Sequence, residues 1–219
     1  MTQTLVIDYY SDVLCVWAWI AQRRIDELNK KFGDKIQFNY YYVDIFGDVA
    51  TKMETQWAAK GGYDGFEAHV KHSCDDHDSV VINPKVWDTI KPTTSANTHL
   101  VLKAIELNFG QSAGIDMALA IRKGFFESAI DISNLECLYQ LIESSGFDVQ
   151  LVKASVNSGH AIAVLMSDYQ QAKKNLIKGS PSYVIDGGRQ TLYGNVGYRV
   201  LSANIEELLK NPANEASWC

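Results

Sequence analysis

Positive charge is in short supply along this chain. Its 20 Lys and Arg are outnumbered by 26 Asp and Glu, for a formal net charge of −6. Nothing in that balance supplies a basic footprint for phosphates, so nucleic acid is excluded as an expected partner. Long apolar runs are also missing. No window approaches the roughly 20 apolar residues of a membrane-spanning helix, so no membrane association is expected. The opening Met1-Thr2-Gln3-Thr4 runs straight into Leu5-Val6-Ile7. It holds neither a basic segment nor an apolar stretch with a small-residue cleavage site, and a cytoplasmic location is expected. Cysteine is sparse: Cys15, Cys74, Cys137 and Cys219 stand far apart among 219 residues. In a reducing cytosol, scattered thiols are expected to be buried or catalytic rather than paired. There is no internal repeat, low-complexity tract or compositional break to mark a linker.

What is present is an ordinary globular composition, 47% hydrophobic and 21% charged, enough to bury a substantial core. Residues 5–10 are mostly apolar and stop at Ser11-Asp12, which predicts a buried strand. From 18 to 32 apolar residues recur at three- and four-residue spacing and Gly33 follows, which predicts a helix with its stop. Residues 36–43 are rich in aromatic and β-branched side chains, so the chain opens as βαβ with a parallel pair. Between about 50 and 178 helical periodicity dominates, with helices expected over 95–107, 115–126, 134–144, 148–157 and 160–175. Gly110, Gly146 and Gly159 punctuate them, Asp131 and Ser133 are the candidate caps of the third, and residues 80–82 are the only strand-like run. Then Gly179-Ser180-Pro181 leads into residues 182–185, the turn Asp186-Gly187-Gly188 and residues 190–193, a β-hairpin. A last amphipathic helix over 198–209 is followed by Pro212 and the tail Ser217-Trp218-Cys219.

Cys15 follows the first strand and immediately precedes the first helix. Unpaired N–H groups and the helix dipole there favour thiolate over thiol, the requirement for a nucleophile; a buried cysteine is the plain alternative. In a βαβ…ββα arrangement the loop carrying Pro181 is brought beside that helix start. A cis peptide at Pro181 would turn neighbouring backbone groups toward an extended substrate or the cysteinyl part of glutathione. His69, His72, Cys74 and His77, with Asp75, Asp76 and Asp78, include metal-ligand types, but their spacing fits no zinc pattern and no metal is assigned. His99 reads as a packing or capping residue, and Cys137, between Leu135 and Leu138, as core.

Three stretches carry a family resemblance: residues 8–19 (DYYSDVLCVWAW), the run from Pro92 through His99 and on to Phe125-Phe126 and Asp131-Ile132-Ser133, and residues 179–187 (GSPSYVIDG). The chain resembles the cytoplasmic branch of the DsbA-like thioredoxin superfamily, related to 2-hydroxychromene-2-carboxylate isomerases and kappa-class glutathione transferases. The resemblance implies an α/β thioredoxin-like fold, residues 1–49 and 179–219, with a helical domain, 50–178, inserted between the βαβ and ββα halves. It also implies a catalytic Cys15 and a cis-proline at Pro181.

The sequence departs from its relatives in both directions. Disulfide-exchanging members read Cys-Pro-Trp-Cys, whereas this chain reads Cys15-Val16-Trp17-Ala18. Without a second thiol a two-cysteine cycle within the motif is impossible. A mixed disulfide on Cys15 would need an external thiol, with glutathione as cosubstrate, or Cys219 folding back as resolving thiol. Isomerases and kappa-class transferases carry serine where Cys15 stands, and a serine and aspartate near the last helix that touch the γ-glutamyl group. Here that place reads Gly194-Asn195-Val196-Gly197, with Asn195 as the candidate contact and a turn or cap as its other role.

The expected function is a single-cysteine thiol-disulfide oxidoreductase, glutathione-linked, acting on a small-molecule thiol or protein disulfide. Cys15 is the nucleophile, Trp17 shapes the cleft, and Ser180, Pro181 and Ser182 line the substrate or glutathione. Alternatives are a glutathione-dependent isomerase or transferase and a non-catalytic thioredoxin-fold binding protein. No tightly bound cofactor is expected, and the oligomeric state is left open, a homodimer included.

Overall fold

The computed structural model describes residues 4–77 and 80–210. β1 (Leu5–Ser11) lies beside β2 (Ile36–Tyr42) in parallel, in register from Leu5 opposite Ile36 to Ser11 opposite Tyr42. α1 (Val16–Phe32) makes the crossover between them. β3 (Ser182–Ile185) joins the other side of β1 antiparallel, and β4 (Gln190–Tyr193) pairs antiparallel with β3, giving the order β2-β1-β3-β4. The turn Asp186–Gly188 places Gly187 at φ 63°, a left-handed conformation that costs glycine little. Alternation along β1 and β2 sends Leu5, Ile7 and Tyr9, with Ile36, Phe38 and Tyr40, to one buried face. Tyr9 is the centre of a row across three strands, its ring 5.0 Å from Tyr40 and 5.2 Å from Tyr183.

α1 buries Trp19, Ile20, Ile25, Leu28 and Phe32, each such side chain contributing about 1.5–3 kcal/mol. Lys30 and Lys31 occupy its last turn, where cations suit the dipole, and Gly33 ends it. After β2 the chain leaves the sheet through α2 (Val49–Thr55), α3 (Gly62–Cys74), α4 (Ala96–Phe109), α5 (Gln111–Phe126), α6 (Leu135–Ser144), α7 (Val149–Asn157) and α8 (His160–Lys174). It returns for β3, β4 and α9 (Tyr198–Lys210). One hydrophobic cluster runs from Leu5 and Ile7 on the sheet through Val101 and Ile105 on α4 to Phe125 on α5.

The edge strand β2 is closed by charge rather than by another strand. Asp168 of α8 accepts the Tyr42 N–H at 3.1 Å and pairs with the buried Lys103 of α4 at 2.9 Å, and Lys103 also donates to the Tyr40 carbonyl at 3.2 Å. An unused edge amide and two buried ions are satisfied together.

Four expectations are corrected. α2 and α3 were not foreseen: α2 has seven residues, and glycines dilute the helical pattern of α3. One of these, Gly65, sits where a Cβ would lie 1.7 Å from the Lys60 carbonyl oxygen, a close approach only glycine permits. Residues 80–82 form no strand; the Val81 carbonyl accepts the Trp19 indole N–H at 3.2 Å instead. The cap of α6 is Asn134, accepting from Glu136 and Cys137 N–H at 2.9 and 3.4 Å, while Asp131 accepts from the Ser133 N–H and hydroxyl just upstream. Cys137 is half-buried; Leu138 beside it holds the core position.

Candidate active site

β1 ends at Ser11, and the backbone turns so that the Cys15 N–H bonds the Asp12 carbonyl at 3.2 Å. Cys15 is then the residue before α1, its own carbonyl accepting Ala18 and Trp19 N–H at 3.1 Å. Cys15 is 7% exposed, and its thiol donates to the Ser180 carbonyl at 3.3 Å, across a separation of 165 residues. The Ser180–Pro181 bond is cis. The Ser180 hydroxyl accepts the Asp12 N–H at 2.9 Å, so the two loops are stitched twice.

The thiol is pulled in opposing directions. Burial pushes it above its ordinary pKa and the nearby Asp12 charge adds to the rise, while hydrogen bonds from Ser180 and the amides of Ala18 and Trp17 pull it down. Burial wins. This runs against the expectation that the helix start favours a thiolate: the first-turn amides are there, but desolvation outweighs them.

Cys15 lines a cleft of about 520 Å³. Trp17, Phe46, Trp57, Phe66 and His69 make an aromatic wall, and Lys52, Lys178 and Asp44 bring charge to it. Trp57 meets Phe66 edge-on at 4.9 Å, and His69 lies 5.1 Å from Trp57 and 6.2 Å from Trp17. Burial lowers the His69 pKa, with Lys60 and His72 adding to the effect, so its imidazole is neutral at pH 7. Lys52 holds its ammonium 4.9 Å over the Phe46 ring and 2.8 Å from the Gln56 side-chain oxygen.

The structure brings together Cys15, Trp17 and Ser180 at the cleft, with Pro181 following directly in the same loop. It does not bring in Ser182, which is buried on β3 with its hydroxyl on the Gly179 carbonyl at 2.8 Å. Asn195 is exposed and off the cleft wall. Cys219 lies outside the described residues, as does Asp78. Among the described residues no three His, Cys, Asp or Glu converge as metal ligands. His72 pairs instead with Asp75 at 3.0 Å, and His69 belongs to the cleft.

Sequence reasoning missed Asp12 as a residue that holds this site in shape, and read His99 as packing or capping without its link to the Cys15 loop. Asp12 is fully buried and its carboxylate accepts from the N–H of Leu14, Ile45 and Phe46 and from the Ser95 hydroxyl. His99, also fully buried, accepts the Val13 N–H on Nε2 at 3.3 Å. That bond places its proton on Nδ1, 3.3 Å from the Tyr169 hydroxyl. Asp12-Val13-Leu14 was readable as an Asx turn, since the carboxylate serves a residue two positions on; the distant partners left no local signal.

A family model described as DSBA-like thioredoxin domain matches residues 6–206. Among curated proteins, the ClpXP adapter protein SpxH of Halalkalibacterium halodurans is 23% identical over 215 residues, covering 94% of this chain and 68% of the relative. Among solved structures, one from Nitrosomonas europaea, described as a candidate protein disulfide isomerase, superposes with TM-score 0.78 at 14% identity, over 95% of this chain and 99% of its own. The cytosolic disulfide reductase DsbM of Pseudomonas aeruginosa, solved with GSH, gives 0.67 at 14% identity, over 96% and 100%. A 2-hydroxychromene-2-carboxylate isomerase gives 0.65 at 16%, over 97% and 100%.

Proposed function

This chain belongs to the DSBA-like thioredoxin domain family, and from that premise we propose that it is a thiol-disulfide oxidoreductase working through Cys15 alone. The observation that carries the reading is one thiol at a helix start, hydrogen-bonded to the Ser180 carbonyl and facing an aromatic-walled cleft. In the proposed cycle the Cys15 sulfur attacks a glutathione mixed disulfide. A new bond forms from Cys15 to the glutathione sulfur, the old S–S bond breaks, and the substrate sulfur leaves as thiolate and takes a proton. A second glutathione thiolate then attacks the mixed disulfide, frees Cys15 and departs as oxidised glutathione. Electrons come from glutathione, so the proposed cycle calls for a reducing compartment such as the cytoplasm. Ala18 stands where a second cysteine of the motif would resolve the adduct, so resolution falls to a thiol outside the motif, glutathione in this proposal.

The cleft fits this chemistry. Lys52 and Lys178 oppose the carboxylates of an acidic tripeptide, Asp44 opposes its ammonium, and the aromatic wall takes the remaining substrate. The test is turnover of a glutathionylated peptide by the full chain with glutathione, with the adduct trapped by acid and located by mass spectrometry. Expected are an adduct on Cys15 and loss of turnover to background in Cys15→Ser, with Cys219→Ser unaffected. Wild-type turnover no faster than free glutathione would overturn the proposal.

A second reading is favoured by the burial of Cys15 and the upward pull on its thiol: a binding protein that keeps the cleft without turnover, as the adapter role in the name of the SpxH relative suggests. The same assay separates the two.

A further inference from the structure

Three separate stretches of chain must meet for Cys15 to face a cleft: the 12–14 loop in front of it, the 45–46 wall opposite, and the head of α4. All three end on one side chain. Asp12 Oδ1 accepts the Leu14 N–H at 2.9 Å; Oδ2 accepts Phe46 N–H at 3.0 Å, Ile45 N–H at 3.2 Å and the Ser95 hydroxyl at 2.7 Å. Its own N–H reaches a fourth stretch through the Ser180 hydroxyl at 2.9 Å. Asp12 is 0% exposed and is not part of the cleft wall. A buried carboxylate is costly unless its lone pairs are filled, and these are filled by groups that build the site.

Resting on the thiol-exchange reading for its chemical consequence, we propose that Asp12 is a positioning residue for Cys15: its carboxylate locks the Cys15 loop, the Ile45–Phe46 wall and the head of α4 into one unit. Reaction at Cys15 therefore depends on a side chain that never enters the cleft. The carboxylate also acts through its charge, which opposes ionisation of the Cys15 thiol. The other charged or titratable groups around it are His99, whose Nε2 is 3.9 Å from Oδ1, Lys52, whose pKa burial lowers while the charges of Asp12 and Cys15 oppose that fall, and Tyr169. Asparagine cannot replace Asp12 silently. Whichever way it is turned, an NH₂ group faces N–H donors that the second oxygen accepted.

Two consequences separate charge from position. Losing the anion eases ionisation of Cys15; losing the hydrogen bonds displaces the wall and impairs a bulky reagent at any pH. The experiment uses the full chain with Cys74, Cys137 and Cys219 replaced by serine, alone and with Asp12→Asn or Ser95→Ala. Cys15 is titrated against pH with small iodoacetamide and with the aromatic disulfide 4,4′-dithiodipyridine. Asp12→Asn is expected to lower the midpoint pH with both reagents and to cut the limiting rate with the disulfide about tenfold relative to iodoacetamide. Ser95→Ala removes one hydrogen bond and keeps the charge, so it is expected to leave the midpoint in place and cut the disulfide rate several-fold. Unchanged midpoint and unchanged relative rates in Asp12→Asn would overturn the proposal. If that variant fails to fold, an unchanged relative rate in Ser95→Ala overturns it. Both reagents modify any accessible thiol, so these readings stand whether or not the parent chain turns over glutathione disulfides. Absent turnover with the expected rate changes removes the exchange reading and keeps Asp12 in place.

Discussion

At the scale of single residues, Cys15 shows that the start of a helix is not sufficient to make a thiolate. The amides of the first turn lie where the sequence places them, yet Cys15 is 7% exposed, and desolvation outweighs their pull. A buried thiol above its ordinary value is mostly protonated at neutral pH and reacts slowly until solvent or a substrate changes its surroundings. Alkylation of Cys15 by iodoacetamide, in a chain lacking the other three cysteines, is therefore expected to rise with pH to a midpoint above the reference of about 8.5. A midpoint below that reference would reverse the balance argued here. Cys15 and Ser180-Pro181 were legible in the sequence because each sits at a boundary between elements, where local rules are strongest. Asp12 was not, because its role is defined by partners such as Ser95 that lie far away along the chain, and of His99 only the packing role was legible, not its bond to Val13 or its contact with Tyr169.

At the scale of elements, long periodic helices and the hairpin were readable, and short or glycine-bearing helices were not. α5, expected from 115, begins at Gln111, while α2 has too few residues for a 3.6-residue period to declare itself. Caps are subtler still. Asp131, Ser133 and Asn134 are all capping residue types in succession, and only geometry distinguishes them: Asn134 has extended backbone and faces the free N–H groups of α6, while Asp131 closes a turn before it. Asn134→Ala is expected to cost about 1 kcal/mol, lowering Tm by roughly 2–4 °C in a chain of this size. The helix terminus is exposed, so water replaces part of the bond. Thermal unfolding of Asn134→Ala beside Ser133→Ala checks the assignment to α6. Restored helicity at α6 in an Asn134→Asp variant, with Tm back to the parent value, distinguishes lost capping from lost packing.

At the scale of the whole molecule, the helices between β2 and β3 are held to the sheet by buried polar groups as well as by the hydrophobic cluster. His99 is the junction where this can be measured. From the first turns of α4 it accepts the Val13 N–H, faces Tyr169 of α8 and stacks on Tyr42 of β2 at 4.7 Å. Accepting that N–H requires a neutral ring, and burial, reinforced by Arg122 and Lys103, drives its pKa down to about 3. The unfolded chain binds a proton at about pH 6.5, the folded one at about 3. Between those values the unfolded state holds more protons, so this residue's contribution to stability is present above pH 6.5 and is lost as the pH falls. Asp12 and Asp168 run the other way: burial raises both, so their contribution is full in acid and declines as pH rises through the raised values. Their opposing slopes would hide the histidine in a single stability curve. Both carboxylates are common to the parent and a His99→Gln variant, so the slope of Asp168 drops out of the difference and that of Asp12, whose Oδ1 lies 3.9 Å from His99 Nε2, leaves only a residual. That variant is expected to be less stable at pH 7, and its deficit to narrow by about 3 kcal/mol by pH 4. Urea unfolding of both proteins at several pH values reads this directly: converging curves locate acid sensitivity at His99, and parallel curves place it elsewhere.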